Sequence, residues 1–217
     1  MEEIRLAALL CSRLCHDLIG PIGAVSNGVE LLYEETDPKV RDQALDLMAM
    51  SAGEAARRIE YYRVAFGAAA GHGGDIEVNE LRRIAGALFK QGRVRLEWPE
   101  PTDPVKRLAI EGGKLALNLI LLAAGALPRG GTVLVELQES EESLEMVVSA
   151  AGERAGLDED ILAALRPNAE GTQIEAHTAQ PYLTARLVER LGGSVEIATA
   201  AGRVDVRASI AGAAAPE

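Results

Sequence analysis

From residue 45 to 66 an apolar side chain recurs at every third or fourth position: Leu45, Met48, Ala52, Ala55, Ile59, Tyr62 and Phe66. That spacing draws one apolar seam along a helix, the pattern of a bundle helix. A second helix precedes it, from residue 3 to the break at EETDPK, where Thr36 or Asp37 can cap and Pro38 can take the first helical position. Two antiparallel helices cannot enclose a core alone, because each seam needs partners on more than one side. The expectation is therefore a homodimer in which two hairpins form a four-helix bundle. Docking of both seams on the rest of the chain is the alternative.

Beyond the hairpin the character changes. GAAAGHGGD, residues 67–75, is a Gly-rich and Ala-rich breaker suited to a linker. Residues 78–90 read as a helix, 93–98 as a strand, PEPTDP as a stiff loop and 105–126 as one long apolar helix. PRGG then leads into a hairpin, TVLVELQE and SLEMVVS, by alternation. A short helix at residues 158–165 follows, then a helix at 181–191 stopped by Gly192 and Gly193, then a last hairpin, SVEIAT and RVDVRAS. Helices on one face of a mixed, mostly antiparallel sheet satisfy this order. The predicted class is α+β, with a helical hairpin at 1–69, a linker at 70–74 and an α/β sandwich at 75–217.

A formal net charge of −11 and a sequence pI near 4.9 disfavour nucleic acid and anionic membrane as partners, and no Lys/Arg run supplies a local basic patch. MEEIRLAALLCS lacks the basic start of a secretory signal, and the most apolar run, residues 115–127, is too short to span a bilayer. A cytoplasmic protein is expected. Cys11 and Cys15 are the only cysteines, and a reducing compartment keeps them as thiols. Aromatics make up only 3% of the chain, too few for base-stacking platforms.

One histidine stands apart. In LCHDLIGPIGAVSNGVELL, residues 14–32, Leu14, Leu18, Ile22, Val25, Val29 and Leu32 fall between roughly 160° and 240° of His16 at about 100° per residue. His16 thus points away from the apolar stripe, in company with Ser12, Arg13, Gly20, Gly23, Asn27 and Glu30. Gly20 and Pro21 in mid-helix cost about 1 and 3 kcal/mol. Pro21 cannot donate to the carbonyl of Asp17, so a kink one turn after His16 is expected. Together with Gly23 they leave a surface poor in side chains, where another protein's backbone could approach. A zinc site would need four convergent ligands, whereas Cys15 and His16 diverge and His72 and His177 lie elsewhere. Covalent haem would need Cys-x-x-Cys-His, which is absent. No metal site is expected.

These residues carry a resemblance. His16-Asp17-Leu18-Ile19-Gly20-Pro21 resembles the H-box of sensor histidine kinases, on the first helix of a dimeric hairpin. LNLILLAAGALPRGGTVLVEL resembles the Asn-box helix and following strand of the kinase ATP-binding domain, and TARLVERLGGSVEI its last helix and strand. The nucleotide elements depart from the pattern. Asn118 remains, but Leu122 replaces the second Asn, a magnesium ligand. Ala150-Ala151-Gly152-Glu153-Arg154 lacks the adenine-reading Asp, and Thr178-Ala179-Gln180-Pro181 lacks both glycines of the phosphate loop. A hairpin that keeps its histidine beside a kinase-like domain without these elements is similar to the ChpT-type histidine phosphotransferases.

The resemblance implies that His16 accepts a phosphoryl group from the receiver of a CckA-type hybrid kinase and passes it to CtrA-type and CpdR-type response regulators in cell-cycle control. It implies no cofactor in this chain, with Mg²⁺ supplied by the receiver. An unprotonated imidazole nitrogen is available at neutral pH, and phosphoryl transfer needs an in-line nucleophile more than covalent machinery. Asp17 is the candidate to orient the ring, against the alternative of a solvated helix charge. Arg13 is a candidate contact to phosphoryl or receiver, against that of a plain surface Arg. Gly20, Gly23, Asn27 and Glu30 are candidate docking residues. An active ATP-dependent kinase, a non-catalytic dimeric adaptor and a metal-binding regulator are the rival readings.

Overall fold

The computed structural model describes residues 2–67, 74–100, 105–140, 142–167 and 169–211. Two long helices open it, α1 (Glu2–Glu34) and α2 (Pro38–Ala65), packed along each other as a hairpin. The turn between them is built as its sequence predicts. Asp37 sits in extended backbone and its side chain accepts the Lys39 amide at 2.9 Å, with Pro38 next in the helix. Arg41 clasps the turn by donating to the carbonyls of Leu32 and Glu35.

The rest of the chain runs β1 (Asp75–Glu77), α3 (Val78–Leu88), β2 (Val94–Glu97), β3 (Arg107–Ala109), α4 (Ile110–Gly125), β4 (Gly131–Glu139), β5 (Ser143–Ala151), α5 (Glu159–Ala164), a single 3₁₀ turn (Gly171–Gln173), α6 (Ala179–Arg190), β6 (Ser194–Ala200) and β7 (Arg203–Ala211). A five-stranded sheet is ordered β2-β4-β5-β7-β6, parallel at β2-β4 and antiparallel elsewhere. Alternation puts Val133, Val135 and Leu137, Met146 and Val148, and Val204, Val206 and Ala208 on the buried face. Against that face lies α4, apolar all round. Leu115, Leu117, Leu119 and Ile120 are fully buried, because this helix meets the sheet on one side and α2 and α6 on others. The α+β class and the one-sided helical layer are as expected.

Several boundaries differ from the sequence reading. The apolar helix expected over 105–126 begins only at Ile110, because Leu108 is drawn into a short antiparallel pair with β1, with Ile76 opposite Leu108. Three-residue strands are too short for alternation to reveal. Helix α6 begins two residues before Pro181, which places the proline in the first turn, where its missing N–H costs no helical bond. Gly192 does stop α6, at φ +64°. Gly193 follows because a Cβ there would lie 2.2 Å from the Ser209 carbonyl. The linker expected at 70–74 lies, apart from Gly74, outside the described residues, as do residues 101–104 of the PEPTDP loop.

The predicted seam of α2 divides in two. Ala55 and Tyr62 are buried and Met48 half-buried, whereas Leu45, Ala52 and Ile59 are exposed. Residues three apart on a helix are 60° from facing the same way, so a run of three-four steps drifts between two partners. Docking on the C-terminal domain occurs at the base of the hairpin. Tyr61, Tyr62 and Ala65 share the main core with α3 and α4, while Leu6, Leu9 and Leu10 of α1 pack on Ile174, Ala179 and Tyr182. Arg5 adds a 2.9 Å bond to the Ile174 carbonyl.

Candidate functional site

Helix α1 runs unbroken through Pro21, so the proline does not end it. Pro21 has no N–H to give the carbonyl four residues back, which belongs to Asp17. That carbonyl is taken by Arg58 of α2, whose Nη1 donates to it, while Nη2 of the same guanidinium bonds Glu54 at 2.5 Å. The proline of the H-box pattern thus exposes an acceptor on the turn that carries His16, and α2 grips α1 by it.

His16 stands open on this turn, its side chain 86% exposed against 26% for Asp17. His16 Nδ1 lies 3.3 Å from Asp17 Oδ1, and the Tyr62 hydroxyl donates to Asp17 Oδ2 at 2.6 Å. A carboxylate only accepts, so the bond to Asp17 places the ring proton on Nδ1 and leaves the Nε2 lone pair free. Burial pushes the Tyr62 phenol up, the Asp17 hydrogen bond and charge push it further, and Arg13 and Arg58 oppose them. The phenol is therefore a neutral, fixed donor at any physiological pH.

The sequence-predicted residues separate into two surfaces. His16, Asp17 and Gly20 line a shallow depression between α1 and α2, together with Ser51, Glu54 and Arg58. Arg13 does not line it; half-buried, it faces a groove behind Asp17, with Arg57, Arg58, Tyr62 and Arg93. Asn27 and Glu30 are exposed further along α1. A Cβ placed on Gly20 or Gly23 would meet nothing within 4 Å, so neither glycine serves packing inside this chain. Gly28 is different, since a Cβ there would lie 2.3 Å from Met48 Cγ where α1 crosses α2.

Sequence reasoning missed Arg58, Glu54 and the polar half of Tyr62. Tyr62 was legible only as a seam residue, though a hydroxyl in an apolar seam signals a partner to be found. Arg58 gave no local signal, because it lies 41 residues from its acceptor. No group of three or more metal-ligating side chains occurs among the described residues.

The nucleotide-element remnants have other occupations. Asn118 is fully buried; its Nδ2 donates at 2.9 Å to the Ala65 carbonyl, near the end of α2, and at 2.9 Å to Lys114. Gln180, also buried, donates to Asn118 O at 2.8 Å, Asn118 Oδ1 at 3.1 Å and Thr184 at 3.0 Å. Leu122 and Ala150 lie in the apolar core.

Residues 78–203 match the family described as the histidine phosphotransferase C-terminal domain. The chain is 33% identical to the protein phosphotransferase ChpT of Brucella abortus (strain 2308) over 197 residues, 91% of each chain. A solved bacterial phosphotransferase superposes with a TM-score of 0.81 at 33% identity, covering 94% of this chain and 96% of that one. An open imidazole on a helical hairpin, a mixed sheet behind it and these likenesses along nearly the whole length agree: the chain belongs to the ChpT family of histidine phosphotransferases.

Proposed function

We propose that His16 is the phosphoryl-accepting residue of a multistep relay. Its Nε2 attacks the phosphorus of a receiver's aspartyl phosphate; the N–P bond forms as the P–O bond breaks, and the receiver carboxylate leaves with that electron pair. The ring, still protonated at Nδ1, becomes cationic and faces the Asp17 carboxylate, which stabilises it electrostatically. Attack by a second receiver's aspartate on the phosphorus reverses these steps. The observation that carries this reading is the exposed His16 ring bonded through Nδ1 to a carboxylate in a chain of this family. Mg²⁺ and the remaining charge stabilisation come from the receiver. Gly20, Gly23, Asn27 and Glu30 give it a docking face, and Arg13 meets its acidic rim from the groove side.

The donor in this reading is the receiver of a CckA-type hybrid kinase, and the acceptors are CtrA-type and CpdR-type regulators in cell-cycle control. ATP is no substrate: the Asn118 amide and the Gln180 side chain hold each other and the end of α2 instead of a nucleotide. The working form is a homodimer. Ile4, Ile22 and Val29 of α1 and Leu45 and Ile59 of α2 stay exposed in a single chain, and pairing two hairpins into a four-helix bundle would bury them. By length and apolar composition Glu3–Glu34 would also suit a membrane span. Within it Arg5 and Asp17 bond other parts of this chain and Arg13 lines the groove behind Asp17, which favours the bundle and a cytoplasmic location.

The test mixes the full chain with a hybrid-kinase receiver charged from radiolabelled acetyl phosphate. Label is expected on wild type, stable to base and labile to acid, and none on His16→Ala. Labelling of His16→Ala at the wild-type rate would refute the assignment; self-labelling by Mg²⁺-ATP would establish the kinase reading instead.

A further inference from the structure

Tyr62 occupies a junction that the phosphotransfer chemistry leaves unused. Its hydroxyl reaches α1 at Asp17, while its ring is held by the C-terminal side of the molecule. The ring stacks on Phe66 with centroids 5.1 Å apart, and meets Tyr61 edge-on at 6.2 Å and 87°. Tyr61 is fully buried and its hydroxyl donates to the Leu117 carbonyl of α4 at 2.7 Å. A continuous path of fixed contacts thus runs from the central helix of the α/β domain through Tyr61 and Tyr62 to Asp17, and from Asp17 to the imidazole.

We propose that Tyr62 is a positioning residue for His16, and that the α/β domain acts through it as the buttress that keeps the imidazole in one tautomer. This rests on the assignment of His16 above. A carboxylate has two oxygens and turns freely unless one is engaged. With Oδ2 held by Tyr62, Oδ1 is turned towards Nδ1, and with the backbone carbonyl of the same residue held by Arg58, the turn itself cannot rotate. Asp17 is gripped at both ends by α2. The charged groups that act on the phenol are Asp17 and Arg13 from α1 and Arg58 from α2; Glu54, Arg57 and Arg93 also line this groove, which α3 and α4 meet through Leu88 and Leu121. Without the phenol, Asp17 can turn to solvent or to Arg13 and Arg58, and the ring can carry its proton on either nitrogen. The family's α/β domain then has a use that needs no nucleotide: it sets the nucleophile.

The test compares wild type, Tyr62→Phe, Asp17→Asn and the double variant in single-turnover transfer from the charged receiver. Tyr62→Phe is expected to lower the maximal rate about tenfold, the lower end of what partners behind a histidine-orienting carboxylate contribute in metal sites. The receiver concentration giving half-maximal rate stays unchanged. Phosphohistidine from wild type is the Nε2 isomer alone, and Tyr62→Phe yields some Nδ1 isomer. Because Tyr62 acts through Asp17, adding Tyr62→Phe to Asp17→Asn slows transfer no further. An undiminished rate in Tyr62→Phe, an effect confined to half-saturation, or full additivity in the double variant would each overturn the proposal. If Tyr62→Phe folds poorly, nitrogen NMR of the wild-type imidazole decides: an unprotonated Nε2 supports the proposal, and a protonated one refutes it. In every arm His16→Ala separates failure of this proposal from failure of the acceptor assignment.

Discussion

Replacing Asn118 with Leu distinguishes a structural asparagine from a nucleotide-binding one. The side chain is fully buried, and its Nδ2 serves the Ala65 carbonyl at 2.9 Å. That carbonyl belongs to the last turn of α2, where no backbone amide among the described residues reaches it, and Ala65 is only 1% exposed. Leu fills a similar volume but cannot donate, so a buried acceptor is stranded at about 1–3 kcal/mol. Gln180 loses the Oδ1 acceptor but keeps Asn118 O and Thr184, which adds little. Lys114 O loses only a supplementary donor inside α4. A total of roughly 2–3 kcal/mol follows. For a chain of this length each kcal/mol moves the melting temperature by about 2–4 °C, so Asn118→Leu should melt roughly 4–12 °C lower. The assay is thermal unfolding by circular dichroism, with and without millimolar Mg²⁺-ATP. A ligand at a hundred times its Kd would add about 2.7 kcal/mol and raise the melt visibly. Neither protein should respond to ATP. A variant that melts with wild type, or a wild type raised by ATP while the variant is not, would refute the reasoning.

Two further outcomes follow from burial. Burial, with a further push from Tyr62, raises the Tyr61 phenol well above the ordinary value, and burial and then the Asp17 bond raise Tyr62, so the unfolded chain loses these protons first. Stability is then fully present below about pH 10, the unfolded value, and is lost as pH rises through the folded ones. Phenolate absorbance should show that Tyr61 and Tyr62 ionise only together with the loss of circular dichroism; ionisation of all four tyrosines in a folded protein would contradict the assignment. At the hairpin, Ile22 and Ile59 are 52% and 49% exposed, so Ile22→Arg with Ile59→Arg should leave the single-chain fold intact. Sedimentation should show wild type at twice the 23.0 kDa chain mass and the variant at one chain, and a monomeric wild type would refute the dimer.

Much of this protein is legible in the order of its residues. Asp37 and Pro38 mark the hairpin turn, alternation marks β4 to β7, Gly192 marks the end of α6, and the angular position of His16 marks it as exposed. Each is a local effect, in which neighbours within a few positions decide the outcome. The short β1-β3 pair escaped because three residues carry no period, and the two-sided use of the α2 seam because three-four spacing does not say which side a partner occupies.

Residue order along α1 is enough to set an imidazole clear of an apolar stripe, one turn before a proline. What holds that imidazole in place depends on residues far away in the chain. Arg58 and Tyr62 lie 41 and 45 residues from Asp17, and Asn118 lies 53 from the carbonyl it caps, so chain folding alone brings them within hydrogen-bonding distance. The orphan carbonyl left by Pro21 can be foretold from covalent structure, but the donor that fills it depends on how α2 is set against α1. That setting comes from burial of Tyr61, Tyr62 and Ala65 in a core the hairpin does not own.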